Sequence, residues 1–442
     1  MTEELQKLNV GAAESDITPP LGTHLAGYFN RRVSDGIIYP LHAKAVVAGD
    51  GDGRVALITC DLITMQAEVT ERTRKLIHEA TGILEDHIMI CSTHTHTGPE
   101  IRPTAKVNPI TCRNEEYYAT LPARIAQAAI DAAAKQRQAV LCIGKENEHG
   151  LAYVRRFRME NCSEQFGPGG ELKCEGFASE TDDDFGALVF KEELTDKPFA
   201  VICNYSVHID VTSGTKISAD FPAVIQETLR KVYGDDLIVL YVQGACGNIN
   251  HVVYLRDNPF PRSGPWKSEQ MGRAFAGKAM NIIEKAWPSE TVTVGTAREI
   301  LDVPKYPKND AVLQWRLEKA KAKLANGGRQ ETGEAALVER YEQYDDTGTI
   351  KREVQALRIG DAVFCGAPGE LFVEWGKEIK KWSPFKFTFI AELCNDGVGY
   401  IPTYEAFMRG GYEATPVISV RSTPALGQMI ADANFRNVRK LR

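Results

Sequence analysis

Two histidines one residue apart carry the clearest chemistry in this chain. They are His94 and His96, in Cys91-Ser92-Thr93-His94-Thr95-His96-Thr97-Gly98-Pro99-Glu100. They follow Asp86-His87-Ile88-Met89-Ile90-Cys91, which reads as a buried strand, and precede Gly98-Pro99, which ends it. Residues two apart in a strand share a face, so the spacing predicts two imidazoles side by side at a loop mouth. Imidazole is the commonest neutral metal ligand and titrates nearest neutral pH. Hydroxyls at Ser92, Thr93, Thr95 and Thr97 suit the outer hydrogen bonds that metal-bound imidazoles need. A plainer reading, two imidazoles each hydrogen-bonded at a strand end, stays open on the pair alone.

A third imidazole, His208, ends another strand-like run, Phe199 to Asp210. Two carboxylates stand in similar settings. Glu370 follows Phe364-Cys365-Gly366-Ala367-Pro368-Gly369, an apolar run breaking into a Gly/Pro turn, and Asp61 directly follows Val55 to Cys60. Either carboxylate also suits a helix cap. Three neutral ligands, or two histidines plus a glutamate, with one position open to water, is the pattern of catalytic zinc. Zinc brings the pKa of bound water to about 7 and so makes a nucleophile at neutral pH. The separation of His94, His208 and Glu370 is far longer than any local motif. The turn Gln243-Gly244-Ala245-Cys246-Gly247-Asn248-Ile249-Asn250 permits close backbone approach to a ligand, or is simply a tight strand exit. Cys246 has no basic neighbour in sequence to stabilise a thiolate, so activity is expected not to need it.

The elements that must position these groups alternate. Strand-like runs are Val55–Cys60, Ile88–Cys91, Ala139–Ile143, Phe199–Cys203 and Leu237–Val242; helical periodicity covers Glu68–Ala80, Glu115–Ala134, Ala223–Tyr233 and Ser268–Ala286. That alternation predicts an α/β fold of helices layered on buried mixed sheets. Asp310 to Tyr344, rich in Lys, Glu, Ala, Leu and Arg and broken at Asn326-Gly327-Gly328-Arg329, reads as a surface helical hairpin inserted at about 308–346. A strand-rich stretch, Ile350 to Phe364, follows it. The best internal boundary lies near Pro304 to Pro307, yet 1–442 reads as a single catalytic domain. The polar, glycine-rich segment Met159 to Thr181 predicts a lid, a binding loop or disorder.

Composition narrows the class. Of 442 residues, 43% are hydrophobic and 25% charged, an ordinary globular balance. A net charge of −7 and no basic run give no reason to invoke nucleic acid. No stretch approaches the roughly 18 apolar residues of a membrane span, and Met1-Thr2-Glu3-Glu4-Leu5-Gln6 does not read as a secretory signal. The expected site is the cytoplasm, with no stable membrane association. The ten cysteines sit singly, with no C-x-x-C, as reduced buried thiols do. Cys162 and Cys174 flank a polar loop and would bridge only if oxidised.

Several stretches, in order, resemble the N-terminal catalytic domain of neutral, non-lysosomal ceramidases and their shorter bacterial relatives. They are Val10-Gly11-Ala12-Ala13 with Asp16-Ile17-Thr18-Pro19-Pro20; Leu25-Ala26-Gly27-Tyr28; Thr93 to Pro99; Asn204-Tyr205-Ser206-Val207-His208; Pro368-Gly369-Glu370; and Asn395 to Thr403 with Gly411-Tyr412-Glu413. The resemblance implies one zinc ion held by His94, His208, Glu370 and Tyr400. It implies that His96 sits over the substrate carbonyl and that Tyr412, twelve positions after Tyr400, assists it. It assigns a substrate arginine to Arg156, with Arg155 close behind, and puts Gly27 and Gly244 against the substrate.

One departure stands out. The family's serine nucleophile aligns with Gly244 and an acidic residue with Asn248, so the implied chemistry is metal-hydroxide attack. No stretch of these 442 residues resembles the family's C-terminal immunoglobulin-like domain, and the expected substrate is polar rather than a membrane lipid. The reading is a zinc-dependent hydrolase of an amide or ester bond in a small polar molecule. A sugar-directed metalloenzyme (lactonase, isomerase or deacetylase) and a catalytically degenerate binding protein remain alternatives. A homo-oligomer also stays open.

Overall fold

The apolar, β-branched runs pair into one long sheet. From edge to edge its strands are Ile238–Gln243, Pro198–Tyr205, Asp184–Glu192, Arg137–Asn147, Leu8–Asp16, His42–Gly49, Arg54–Cys60 and Ile88–Ser92, with Trp287–Pro288 added beside Arg137–Asn147. The outermost pair at each end is parallel and the joints between are antiparallel. The chain is seen in a computed structural model that describes residues 7–28, 30–103, 111–255, 259–325 and 332–442, without the side chains of 332–336.

The middle joint is thin: only Leu8–Val10 pair with Arg137–Ala139. So thin a joint lets the sheet curl, and Ile238–Gln243 comes within 8 Å, Cα to Cα, of His42–Gly49, Arg54–Cys60 and Ile88–Ser92. The two ends of the sheet thereby meet, and the loops leaving them open on one another.

Side-chain alternation builds the layers. On Arg54–Cys60, Ala56, Ile58 and Cys60 face Val69, Ile77, Leu121 and Ile125 of helices Ala67–Thr81 and Glu115–Ala134. On the other half, Val189, Val201, Cys203 and Val239 pack under Ile225 and Phe275 of helices Phe221–Tyr233 and Pro265–Lys285. The inward residues, among them Leu57, Leu188, Phe190 and Ile202, meet Leu357, Phe364 and Phe389 of a second sheet. That sheet runs Val294–Pro304, Thr349–Ile359, Ala362–Gly366, Phe387–Ala391. Its far face carries helices Val373–Trp382 and Leu426–Lys440 through Ile379 and Ile430. The result is the expected α/β fold, layered helix, sheet, sheet, helix. Gly186 sets the sheet separation locally, since a Cβ there would fall 2.1 Å from the Phe389 ring.

Two expectations are amended. Helices Ala311–Ala325 and Thr332–Gln343 form, but Leu313, Leu317 and Leu337 bury against Tyr306, Phe372, Phe407 and Val417, so the hairpin covers the 400–420 segment. Its expected break at Asn326–Arg329 lies outside the described residues. The stretch read as a lid or disordered loop is a small sheet, Cys174–Phe177, Arg156–Met159, Glu164–Phe166, whose backbone groups satisfy one another. Among the described residues no helix is long and apolar enough to cross a membrane.

Candidate metal centre

The strand before the two histidines ends at Ser92, and His94 adopts φ +78°. A left-handed residue breaks the two-residue period, so the shared-face argument for His94 and His96 fails. The loop is held instead by its backbone: Thr93 donates to the Cys60 carbonyl at 2.8 Å, His94 to Leu62 at 2.9 Å and His96 to Ile209 at 3.0 Å. The hydroxyls serve the loop as well. Thr95 and Thr97 both donate to the Ser218 carbonyl, at 2.6 and 2.9 Å. Thr93 donates to Asp61 at 3.2 Å, and Asp61 also accepts the His42 amide, which makes Asp61 a brace for the loop.

Three imidazoles then converge. His94, His96 and His208 are buried, with ligand nitrogens all within 4.8 Å of one another. His94 Nδ1 is held by the Ile63 carbonyl at 2.7 Å and His208 Nδ1 by the Cys246 carbonyl at 2.9 Å. Carbonyls accept only, so each Nδ1 carries the proton and each Nε2 a bare lone pair. Those Nε2 atoms face each other at 3.1 Å, and His96 Nε2 lies 3.3 Å from His94 Nε2. Glu370 Oε2 lies 3.6 Å from His94 Nε2 and 3.5 Å from His208 Nε2, buried and without a hydrogen-bond partner. Burial, with nearby positive charge, pushes the pKa of His208 and of His96 well down, so both stay neutral.

This donor set fits a divalent ion. Four tetrahedral donors about 2.0–2.1 Å from zinc lie about 3.3–3.4 Å from one another, and the separations here straddle that range. The orphaned Glu370 oxygen is the group such an ion would satisfy. The separate roles expected for His94 and His96 are not visible in this geometry, because both Nε2 atoms border the same space.

Tyr400 enters beside Glu370, paired with it across a two-residue parallel ladder. Its hydroxyl accepts from Arg155 at 3.1 Å and lies 3.1 Å from the Tyr412 hydroxyl. Burial and then Glu370 push the Tyr400 pKa well up. Arg156, the preferred substrate arginine, is held inside the protein. Its guanidinium is spent on Glu413 at 2.8 Å, Glu164 at 2.9 Å and the Gly410 carbonyl at 2.6 Å, with 1% of the residue exposed. Arg155, one residue earlier, is the one on the Tyr400 side of the cluster.

The two glycines are closely packed. A Cβ on Gly27 would lie 2.6 Å from the His96 ring. A Cβ on Gly244 would lie 2.5 Å from Ser206 Oγ and 2.9 Å from the Tyr205 carbonyl oxygen. Gly244 is therefore packed against Ser206 and the Tyr205 backbone, which leaves no room for a serine. The Cys246 thiol is fully buried, donates to Glu392 Oε1 at 2.9 Å and has its pKa pushed well up by burial and then Glu392.

Three acidic groups escaped the sequence reading. Glu413 pairs with both Arg155 and Arg156; its signal was the Tyr412-Glu413 motif set against two adjacent arginines. Asp210 lies 3.1 Å from His251 and near His96; its signal was a carboxylate two residues beyond His208. Glu392 is completely buried, and nothing in its surroundings in sequence marks it.

Residues 8–224 match the family model for neutral/alkaline non-lysosomal ceramidase, N-terminal. That span holds Gly27, His94, His96, Arg155 and His208, while Glu370, Tyr400 and Tyr412 lie beyond it. The fold is similar to the neutral ceramidase of Pseudomonas aeruginosa, with a TM-score of 0.74 at 18% identity, over 98% of this chain and 74% of that one. It is equally similar to a ceramidase complexed with C2, with a TM-score of 0.75 at 16% identity, over 99% and 76% of the two chains. No curated protein matches the sequence.

Proposed function

We propose that this chain, a relative of the neutral/alkaline non-lysosomal ceramidases, is a hydrolase that uses a divalent ion on an amide or ester bond of a small polar substrate. One observation carries the reading. Two imidazole lone pairs face each other at 3.1 Å, and an unpartnered carboxylate oxygen stands 3.5–3.6 Å from both. Lone pairs so disposed repel unless a cation lies between them. His94, His208, Glu370 and Tyr400 would hold that ion, and nitrogen and oxygen donors in this mix favour zinc. When bound, it supplies water acidified to a pKa of about 7 and polarises a carbonyl.

The chain's own groups do the remaining work. His96, neutral and bordering the same space, takes or returns a proton at the scissile bond. The Tyr412 hydroxyl, tied to that of Tyr400, donates to the oxyanion or the leaving group. Arg155 stays charged: burial opposes it, but Tyr412, Tyr400, Glu413 and Glu370 outweigh burial. It is aimed at the Tyr400 hydroxyl and offers a fixed positive field to a developing negative oxygen. A polar substrate is favoured by this lining and by Asp210 on the His96 side. The packed Gly244 position supports activated water in place of a serine.

The cytoplasm is the compartment we propose, since ten unpaired cysteines, Cys112 and Cys162 exposed among them, suit a reducing one.

The test is zinc content per chain, together with turnover of a panel of aryl esters, N-acyl amines, a lactone and an N-acetylated sugar. Expected are about one ion per chain, loss of turnover on chelation and its return with zinc. Full activity after exhaustive chelation, or no ion bound at any concentration, would refute the reading. Turnover confined to the lactone or the acetylated sugar would favour the sugar-directed alternative.

A further inference from the structure

A buried carboxylate that the proposed chemistry does not use lies behind the imidazole cluster. Glu392 directly follows the strand Phe387–Ala391 and is 0% exposed. Its Oε2 accepts the amide of Leu371 at 3.0 Å and that of Cys246 at 3.0 Å. Its Oε1 accepts the Cys246 thiol at 2.9 Å. Its own amide donates to the Gln243 carbonyl at 3.0 Å. No cation pairs with it among the described residues, so a fully buried acidic side chain is held by three donors alone. Burying such a group is expensive, and apolar packing would be cheaper unless the group does something there.

Its contacts fall on the segments that carry the donor atoms. Leu371 is the residue after Glu370. Cys246 supplies the carbonyl that holds His208 Nδ1 at 2.9 Å. The next residue, Leu393, sits at φ +52°, a strained conformation for leucine. That turn lets the Leu393 amide donate to Gly369, just before Glu370, at 3.3 Å, and its carbonyl accept the amide of Ser92, two residues before His94, at 3.2 Å. One two-residue turn thus touches the chain beside His94, His208 and Glu370.

We propose that Glu392 is the positioning residue of the ion site. Its carboxylate holds Cys246 by amide and thiol and so seats the carbonyl that sets the tautomer and tilt of His208, and it holds the Leu371 amide, which sets the height of Glu370. Outer partners of this kind typically contribute 10- to 100-fold to metal affinity. The proposal rests on the metal-dependent reading above, and its test separates the two.

The experiment titrates zinc, against a chromophoric chelator, into the metal-free parent and into Glu392→Gln, and records the visible spectrum of each with cobalt. Glutamine keeps the shape and one acceptor oxygen, but its amide nitrogen cannot accept the Cys246 thiol proton. Expected are 10- to 100-fold weaker zinc binding, a shifted cobalt spectrum and a melting temperature of the metal-free form near that of the parent. Parental affinity and an unchanged cobalt spectrum would overturn the proposal and leave the metal reading standing. A Gln variant that does not fold without metal would assign Glu392 to the fold and overturn it too. A parent that binds neither ion would bring down the metal reading itself, and this inference with it.

Discussion

Replacing Gly27 with alanine tests whether the exact seat of His96 matters. Gly27 lies at φ +101°, and a Cβ built on it falls 2.6 Å from Cγ and Nδ1 of His96 and 2.8 Å from its Cβ. Optimal carbon contacts begin near 3.5 Å, so the ring must retreat by roughly 0.9 Å from a built contact of 2.6 Å. The left-handed backbone adds about 1–2 kcal/mol for any residue with a side chain. The three nearest atoms to the new methyl all belong to His96, so the direct clash falls on that ring alone. A misplacement near 1 Å costs about 10²-fold in rate when the moved group works in the transition state. The expected result is therefore kcat down about 10²-fold, zinc stoichiometry unchanged, and a fall of about 1–2 kcal/mol in denaturant stability. The assay is steady-state turnover on the best substrate of the panel, with metal content measured on the same preparation. A kcat within threefold of the parent, with His96 shown displaced, would refute the catalytic role. Loss of zinc would make His96 a ligand.

Other expectations follow from the same geometry. His94→Ala should remove ion and activity together, whereas His96→Ala should keep the ion and lose about 10²–10⁴ in kcat; equal loss of zinc in both would place all three imidazoles on the ion. Cys246→Ala should keep most of the rate, because its thiolate is disfavoured and the carbonyl that holds His208 is backbone; a loss of several orders of magnitude in a folded protein would revive a thiol nucleophile. Gly244→Ser should not create a nucleophile and should cost about 1–3 kcal/mol by overpacking, read from chemical denaturation. Partial burial of Glu353 raises its pKa, but its bidentate pairing with Arg74 at 2.9 and 2.7 Å outweighs that and lowers it. A lowered folded pKa gives stability that is present above the unfolded value of about 4.3 and is lost as pH falls through the folded one. Stability of the parent should thus fall below about pH 4, and Arg74→Met should cost about 3–5 kcal/mol at pH 7; equal pH profiles for the two proteins would contradict the assignment.

Most of the scaffold could be read from the chain, and the exceptions have physical causes. Val55–Cys60, Phe199–Cys203 and Glu115–Ala134 were legible because β-branched runs and helical period dominate them. His42–Gly49 was not, because His-Ala-Lys-Ala-Val-Val-Ala-Gly has little strand signal and is extended only by pairing on both sides. Asp184–Glu192 is likewise built by its two neighbours. The donor residues were legible by type and motif, but not the reason the two loop imidazoles meet, which is a left-handed turn at His94 that no strand period foresees. Arg155 and Arg156 could not be told apart in sequence. The choice between them falls to Glu164 and Glu413, which capture one guanidinium and share the other. Glu392 was invisible because its side-chain contacts are with Leu371, beyond an intervening helix and strand, and with Cys246, in a distant part of the chain.

The curled sheet has a consequence for assembly. His94 leaves one edge strand, His208 leaves a strand next to the opposite edge, and Glu370 and Tyr400 pair in a small separate ladder beyond the ends of the second sheet's strands. No local segment of the chain contains a usable fraction of the site, so the donors meet only when the sheet has closed and the second sheet has docked. Ordering contacts of such long sequence separation is the slow part of folding. A divalent ion would then behave as a staple driven in last, recognising the finished architecture and nothing before it. Because it binds the native state alone, each tenfold of free ion above its dissociation constant deepens the native well by about 1.4 kcal/mol. Metal supply would thereby govern how long the folded protein lasts as well as how fast it works.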